Sequence, residues 1–264
     1  MPDVKEYQTI LVSHDGPVWH IALNRPEVHN AFNEVMIREL QNVVDLAVDE
    51  DQTRVVVLTG KGRSFCAGAD LNWMRRVKDY SYEENLEESL RLADLMHIIY
   101  TLPMPTIARV NGAAIGGGTG LLAACDVIIA AETAKFSLSE VKLGLVPAVI
   151  SPYVIRRVGE SRCRQLMLTG ERFKADRAKR YGLVNTVVPI EDLDDAVQER
   201  VAQLLTSGPE ALKTCKELLR RVPLMDFEEA KAYTAEVIAR LRISREGQEG
   251  MAAFLDKRKP DWSR

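Results

Sequence analysis

Three short runs, RVVVLT at 54–59, TIARV at 106–110 and DVIIAA at 126–131, constrain this fold more than any other feature. Each is mainly aliphatic and β-branched, without the apolar/polar alternation of a strand that has one face in water. Such runs suit strands buried on both faces, which occur where helices cover both sides of a mostly parallel sheet. Gly60 stops the first run, and Pro103 and Pro105 precede the second.

Helical signals fill the intervals. Between Asn33 and Asp49, apolar residues recur at Val35, Met36, Leu40, Val43, Val44 and Ala47, the spacing of an amphipathic helix. Ser81 to Tyr100 and Gly118 to Cys125 read as helices as well, and Val18 to Leu23 reads as a strand broken by Asn24-Arg25-Pro26. Strand and helix therefore alternate, which predicts an α/β core. After Pro189 strand signals cease, and 191–205, 209–221, 226–242 and 244–255 read as helices. A helical tail of this length either covers the core or packs on a neighbour.

Charge and cysteine usage exclude several functions. A net charge of −3 over 264 residues gives no electrostatic reason to expect nucleic acid as the main ligand. Cys66, Cys125, Cys163 and Cys215 form no CxxC pair, and the four histidines show no HxxxH or HxH spacing. Neither a disulfide framework nor a metal site is expected. The start lacks a basic stretch followed by an apolar one, and no run of about 18 apolar residues occurs anywhere. The expectation is a soluble, cytoplasmic protein with no membrane partner.

Chemistry concentrates in three segments. NGAAIGGGTG at 111–120 lies between a buried strand and a helix, where glycine lets main chain approach a ligand closely. The first N–H groups of the helix lack internal partners and suit an anion or a developing oxyanion. No Gly-Lys-Ser/Thr follows, so this is not a P-loop. A GxGxxG fingerprint would need glycine where Leu121 or Ala123 stands. A tight strand-to-helix crossing that needs small residues for packing is the plain alternative. FCAGADL at 65–71 is a second small-residue turn after a buried strand, and two such turns can converge on one ligand. Glu140, in FSLSEVKLGLVP at 136–147, has an apolar setting that would raise its pKa and fit it for proton transfer near neutrality. An exposed loop glutamate is the alternative.

Together these segments resemble the crotonase superfamily, the enoyl-CoA hydratase/isomerase family, over nearly the whole chain. Asn24-Arg25-Pro26, Asn30-Ala31-Phe32, LTGERF at 168–173 and EGMAAFLDKRKPDW at 249–262 extend the match in the same order and spacing. The resemblance implies a spiral of ββα units over 1–195 and a helical region over 196–264 that builds homotrimers or hexamers made of two trimers. It implies an acyl-CoA thioester substrate and no separate cofactor, CoA being the substrate's handle. Carried over by position, the backbone N–H groups of Ala69 and Gly117 would polarise the thioester carbonyl. Ala67, Gly68, Asp70, Leu71 and Gly116 would line the CoA and substrate path, and Ala31 would lie near the adenine or pantetheine. Phe254 and Lys257 match positions that reach the CoA of an adjacent subunit.

One departure bears on the reaction. Hydratases of this family carry two glutamates that hold the attacking water; Glu140 matches the second, whereas the first falls on Gly120. One carboxylate suffices for moving a double bond, which favours an isomerase. CAGADLNWM at 66–74 and LSEVKLGLVPAVISPYV at 138–154 instead resemble a bacterial branch of methylglutaconyl-CoA and related hydratases. Hydration of a 2-enoyl-CoA is the leading expectation and isomerisation the alternative. For a substrate with a distal carboxylate, Arg75, Arg76 and Lys78 are the nearest cations in sequence, although a solvated helix face explains them better. A third reading is a relative that binds RNA through a lysine-rich helix; the acidic run Glu83, Glu84, Glu87, Glu88 after these cations argues against it.

Overall fold

The computed structural model describes residues 7–263. The first six residues of the expected 1–195 unit, and the last residue of the 196–264 unit, lie outside the described residues.

The chain opens with an antiparallel hairpin, β1 (Ile10–Asp15) and β2 (Val18–Leu23). Asn33 then caps α1 (Glu34–Asp49) by accepting a hydrogen bond from the Met36 N–H at 2.8 Å. The buried face of α1 is Met36, Ile37, Leu40, Val43, Val44 and Ala47, close to the predicted set.

From there the chain repeats a unit of two strands and helix. The first has β3 (Val55–Gly60), β4 (Ser64–Cys66), α2 (Leu71–Val77) and α3 (Tyr82–Thr101). The second has β5 (Thr106–Val110), β6 (Ala113–Ile115) and α4 (Gly117–Ala124). The third has β7 (Val127–Ala131), β8 (Lys135–Ser137), a short turn of 3₁₀ helix at Glu140–Leu143, and α5 (Ser151–Val158). Helix α6 (Glu160–Thr169), β9 (Arg172–Lys174), α7 (Ala175–Arg180) and β10 (Thr186–Val188) follow.

Each unit gives its first strand to one sheet and its second to another. The larger sheet has the order β1-β2-β3-β5-β7-β10, and the smaller has β4-β6-β8-β9. Pairing of β3 with β5, β5 with β7, β4 with β6 and β6 with β8 is parallel throughout. This is the expected ββα spiral. Its buried strands carry Val56, Leu58, Ala108, Val110, Ile128 and Ala130 into the main core, while Val55, Val57, Ile107, Ile129 and Ala131 face a second core. Both faces of the sheet are covered, as the unalternating sequence requires.

The remaining helices are α8 (Leu193–Leu205), α9 (Pro209–Arg221), α10 (Phe227–Ile243) and α11 (Arg245–Leu255). Leu193 and Val197 of α8 pack into the second core. Lys216 of α9 reaches inward to Asp126 Oδ2 at 2.5 Å and the Met104 carbonyl at 2.9 Å. Burial pulls the Lys216 ammonium below the usual lysine range, against the opposing pull of Asp126. Asp126 also accepts from the N–H and hydroxyl of Thr106. Among the described residues no helix is long and apolar enough to cross a membrane.

Candidate functional site

Parallel registry of the smaller sheet decides where the site forms. Cys66 of β4 pairs with Ala114 of β6, and Ile115 of β6 pairs with Ser137 of β8. The segments leaving these strands, 67–70, 116–117 and 138–140, therefore emerge side by side. Gly118 makes the first two close: a β-carbon there would sit 2.3 Å from the Cys66 carbonyl oxygen, so only glycine lets α4 start against β4. In the same way a β-carbon on Gly68 would be 3.0 Å from the Ile115 oxygen and 3.9 Å from the Gly117 nitrogen.

The turn 67–70 is latched to residues 29–32. Phe32 N–H donates to the Gly68 carbonyl at 2.7 Å, Asp70 N–H to the Phe32 carbonyl at 2.8 Å, and Ala67 N–H to the His29 carbonyl at 3.0 Å. Ala69 lies between these donors, is exposed, and its own N–H donates to no acceptor among the described residues. Gly117 is the first residue of α4, so its N–H has no partner within the helix. The two predicted donors thus lie on neighbouring turns, Ala69 with no acceptor among the described residues and Gly117 with none inside its helix.

Glu140 completes the group. A β-carbon built on Gly116 would lie 2.9 Å from Glu140 Oε1, which puts the carboxyl directly beside the glycine turn. Gly116 has φ 52° and ψ −121°, a conformation that side-chain-bearing residues avoid. Oε2 of Glu140 is buried and accepts no hydrogen bond among the described residues. Burial raises the pKa of this carboxyl, outweighing a hydrogen bond from its own N–H that lowers it. Of the two sequence readings of Glu140, the exposed loop residue is not what the fold provides.

Gly120 and Thr119 lie on the buried side of α4. Thr119 donates to the Ala114 carbonyl at 2.7 Å, so its hydroxyl serves the fold. A β-carbon on Gly120 would fall 2.4 Å from the Ile150 β-carbon. An apolar side chain thus occupies the space that a longer residue at 120 would enter.

The other sequence candidates divide between frame and surface. Ala31, Gly68 and Asp70 are buried, and the Asp70 carboxylate is committed: Oδ2 accepts from Arg25 Nη2 at 2.6 Å while Oδ1 caps α2. Burial pushes the Asp70 pKa up, but hydrogen bonds from Arg25, Asn72 and Trp73 prevail and hold it below the usual carboxylate range. Leu71 is 70% exposed at the head of α2. Phe254 and Lys257 lie at the end of α11, far along the chain from both turns, where Lys257 takes a left-handed φ of 54°. Arg76 pairs with Glu34 and Arg75 donates to Asn72. Trp73 is buried, its indole N–H donating to Glu88 Oε2 at 2.5 Å.

Sequence reading did not single out Ile150, nor Arg25 as more than part of a matching tripeptide. Asn30, too, figures there only within a matching tripeptide; it is fully buried in a left-handed conformation that asparagine tolerates better than most residues. Its side chain donates to the Lys61 and Ser64 carbonyls and accepts from Arg25 N–H.

The two-sheet ββα spiral, with its strand-end turns meeting at one buried carboxyl, is the crotonase fold. Residues 14–264 match the family model described as enoyl-CoA hydratase/isomerase. A solved enoyl-CoA hydratase from Shewanella pealeana superposes with a TM-score of 0.95 at 42% identity, covering 98% of this chain and 97% of that one. The 2,3-dehydroadipyl-CoA hydratase of Escherichia coli is 33% identical over 256 residues, 96% of this chain and 98% of its own. The short-chain-enoyl-CoA hydratase of Clostridium acetobutylicum is 32% identical over 260 residues, 96% of this chain and 97% of its own. The chain belongs to the enoyl-CoA hydratase/isomerase family and is an enzyme of the hydratase, hydro-lyase kind.

Proposed function

We propose that this enzyme adds water across the double bond of a 2-enoyl-CoA, with the Ala69 and Gly117 N–H groups as oxyanion donors and Glu140 as sole acid/base. The observation that carries this reading is the Glu140 carboxyl held against Gly116, with one oxygen buried and unpartnered. Polarising the thioester carbonyl makes the β-carbon electrophilic, and charge gathers on the carbonyl oxygen. Each preorganised donor is worth about 3 kcal/mol by analogy with other oxyanion holes. The Glu140 carboxylate takes a proton from water as its oxygen attacks the β-carbon; the protonated group then delivers a proton to the α-carbon. Hydration is redox-neutral, so the chemistry calls for no redox cofactor.

Isomerisation of a 3-enoyl-CoA is the second reading, and Ile150 over Gly120 favours it, because position 120 carries no carboxylate and Ile150 fills the space one would enter. Loss of enoyl-thioester absorbance, with solvent oxygen appearing in the product, separates the two. Conversion of a 3-enoyl-CoA to its 2-enoyl isomer without oxygen incorporation would overturn hydration.

For the acyl group we propose a short chain, branched or of the glutaconyl type. Arg76 is engaged by Glu34 and Arg75 by Asn72, which leaves Lys78 as the cation to meet a distal carboxylate. Crotonyl-CoA, 3-methylglutaconyl-CoA and 2,3-dehydroadipyl-CoA compared side by side test this; a preference for crotonyl-CoA over both diacids would overturn the glutaconyl type. We further propose that Leu224, Phe227, Ile243, Phe254 and Leu255, all exposed, are covered by neighbouring copies in a trimer, with Phe254 and Lys257 approaching the adjacent subunit's CoA. A monomer mass by light scattering would refute that.

A further inference from the structure

We propose that Arg25 is a positioning residue for carbonyl polarisation, bracing the Ala69 N–H through Asp70 and Ala31; this rests on the oxyanion role proposed above for Ala69. A donor that stabilises a developing charge must be held within a few tenths of an ångström, and that precision comes from surrounding contacts. The main chain around Ala69 offers little stiffness of its own. Phe32 and Ala69 form an isolated bridge, with no ladder continuing on either side. The segment behind it passes through His29 and Asn30, both in left-handed conformations outside regular structure.

Arg25 ties the two sides of that bridge together. Its Nη1 donates to the Ala31 carbonyl at 2.7 Å, on one side, while Nη2 donates to Asp70 Oδ2 at 2.6 Å, on the other. Arg25 is itself fixed: its N–H donates to Asn30 Oδ1 at 2.9 Å, and the Asn30 N–H returns to the Arg25 carbonyl at 2.8 Å. Asp70 in turn accepts from the Asn72 N–H at 2.7 Å and the Trp73 N–H at 3.3 Å, which joins α2 to the brace. The guanidinium thus spans both strands of the bridge, holding Ala31 on one and Asp70, next to Ala69, on the other. Its rigid fork suits this geometry, whereas a lysine ammonium is a single point on a flexible stem. Losing the fork leaves the three main-chain hydrogen bonds of the latch in place but frees the turn to pivot about them.

The test is Arg25→Lys, with Asp70→Asn as a second variant that keeps a good helix cap. The probe is an aryl-conjugated enoyl-CoA thioester, whose absorbance moves to longer wavelength when its carbonyl is polarised. Arg25→Lys is expected to bind this probe but lose most of the red shift. Turnover of enoyl-CoA should fall on the order of 10- to 100-fold, with KM changed by less than about threefold. Asp70→Asn should do the same, and the double variant should be no worse than the more impaired single, because both cut one brace. A lowered melting temperature with red shift and kcat intact would overturn the proposal, since Arg25 would then serve stability alone. Raised KM with red shift and kcat intact would also overturn it, by making Arg25 a ligand contact. Should Arg25→Lys not fold, Asp70→Asn decides by the same readings. A wild-type enzyme that shows no red shift would remove the oxyanion reading itself, whereas Glu140→Gln should keep the shift and lose turnover.

Discussion

Ile150 Cγ2 lies 2.0 Å from the point that a β-carbon on Gly120 would occupy. The overlap involves the root of a buried side chain, so it cannot be relieved by turning a flexible tip. Gly120→Ala should therefore destabilise the protein by about 2 kcal/mol from overpacking, despite the helix propensity that alanine brings. Gly120→Glu should fold poorly unless paired with Ile150→Ala. Urea unfolding of the two singles and the double checks this; an additive double would show that the two positions do not compete for space.

Glu140→Gln should lower turnover on the order of 10²- to 10⁴-fold, as expected for loss of a general acid/base. Its effect on stability has a defined sign. Burial raises the folded-state pKa of Glu140 above its unfolded value, so ionisation is less favourable in the folded protein. The wild type thus loses stability relative to Glu140→Gln as pH rises from the ordinary glutamate range through the raised pKa. Denaturation midpoints of both proteins from acid to neutral pH should diverge over that interval and run parallel above it.

Gly116→Ala should damage the site more than the fold. A methyl group there meets Glu140 Oε1 at 2.9 Å and demands a φ of 52°. Backbone strain costs roughly 1–3 kcal/mol, but the displaced carboxyl should cost on the order of 10²-fold in kcat. Comparing circular dichroism melts with kcat checks the split; equal activity with a lowered melt would mean that the carboxyl moves aside harmlessly.

Lys216→Met should destabilise by about 2 kcal/mol, because it leaves the half-buried Asp126 without its cation. The depressed folded pKa of Lys216 adds a signature. The stability contributed by this group is full above the unfolded lysine pKa and is lost as pH falls through the folded value. Wild type should therefore gain on Lys216→Met as pH rises through that window, as read by chemical denaturation.

What the sequence reveals here follows from how far each interaction reaches along the chain. Strands β2, β3, β5 and β7 are legible because each is a run of five or six mainly apolar residues, and α1 is legible because its buried positions recur at helical spacing. The second strand of each unit is hidden: β4, β6 and β8 are three residues each, too short for a period to show, and β4 and β6 also sit among glycine and alanine, where a turn is the natural reading. Start and end of α4 came within a residue, because α4 is bounded by glycine and by the next strand. Ala69, Gly117 and Glu140 emerged from motif resemblance more than from physics. Arg25 and Asp70 are 45 residues apart, and no local period reports such a pair. Likewise nothing near Gly120 in sequence announces Ile150.

The alternation of strands between two sheets has a consequence for how this protein comes into being. The three segments that meet at Glu140 leave β4, β6 and β8, one from each successive unit. None of them holds the geometry alone, since each is aimed by the strand laid down beside it. A growing chain on the ribosome consequently has no trace of the active centre until its third unit has emerged and docked. Protein truncated before its third unit should therefore be inert toward enoyl thioesters.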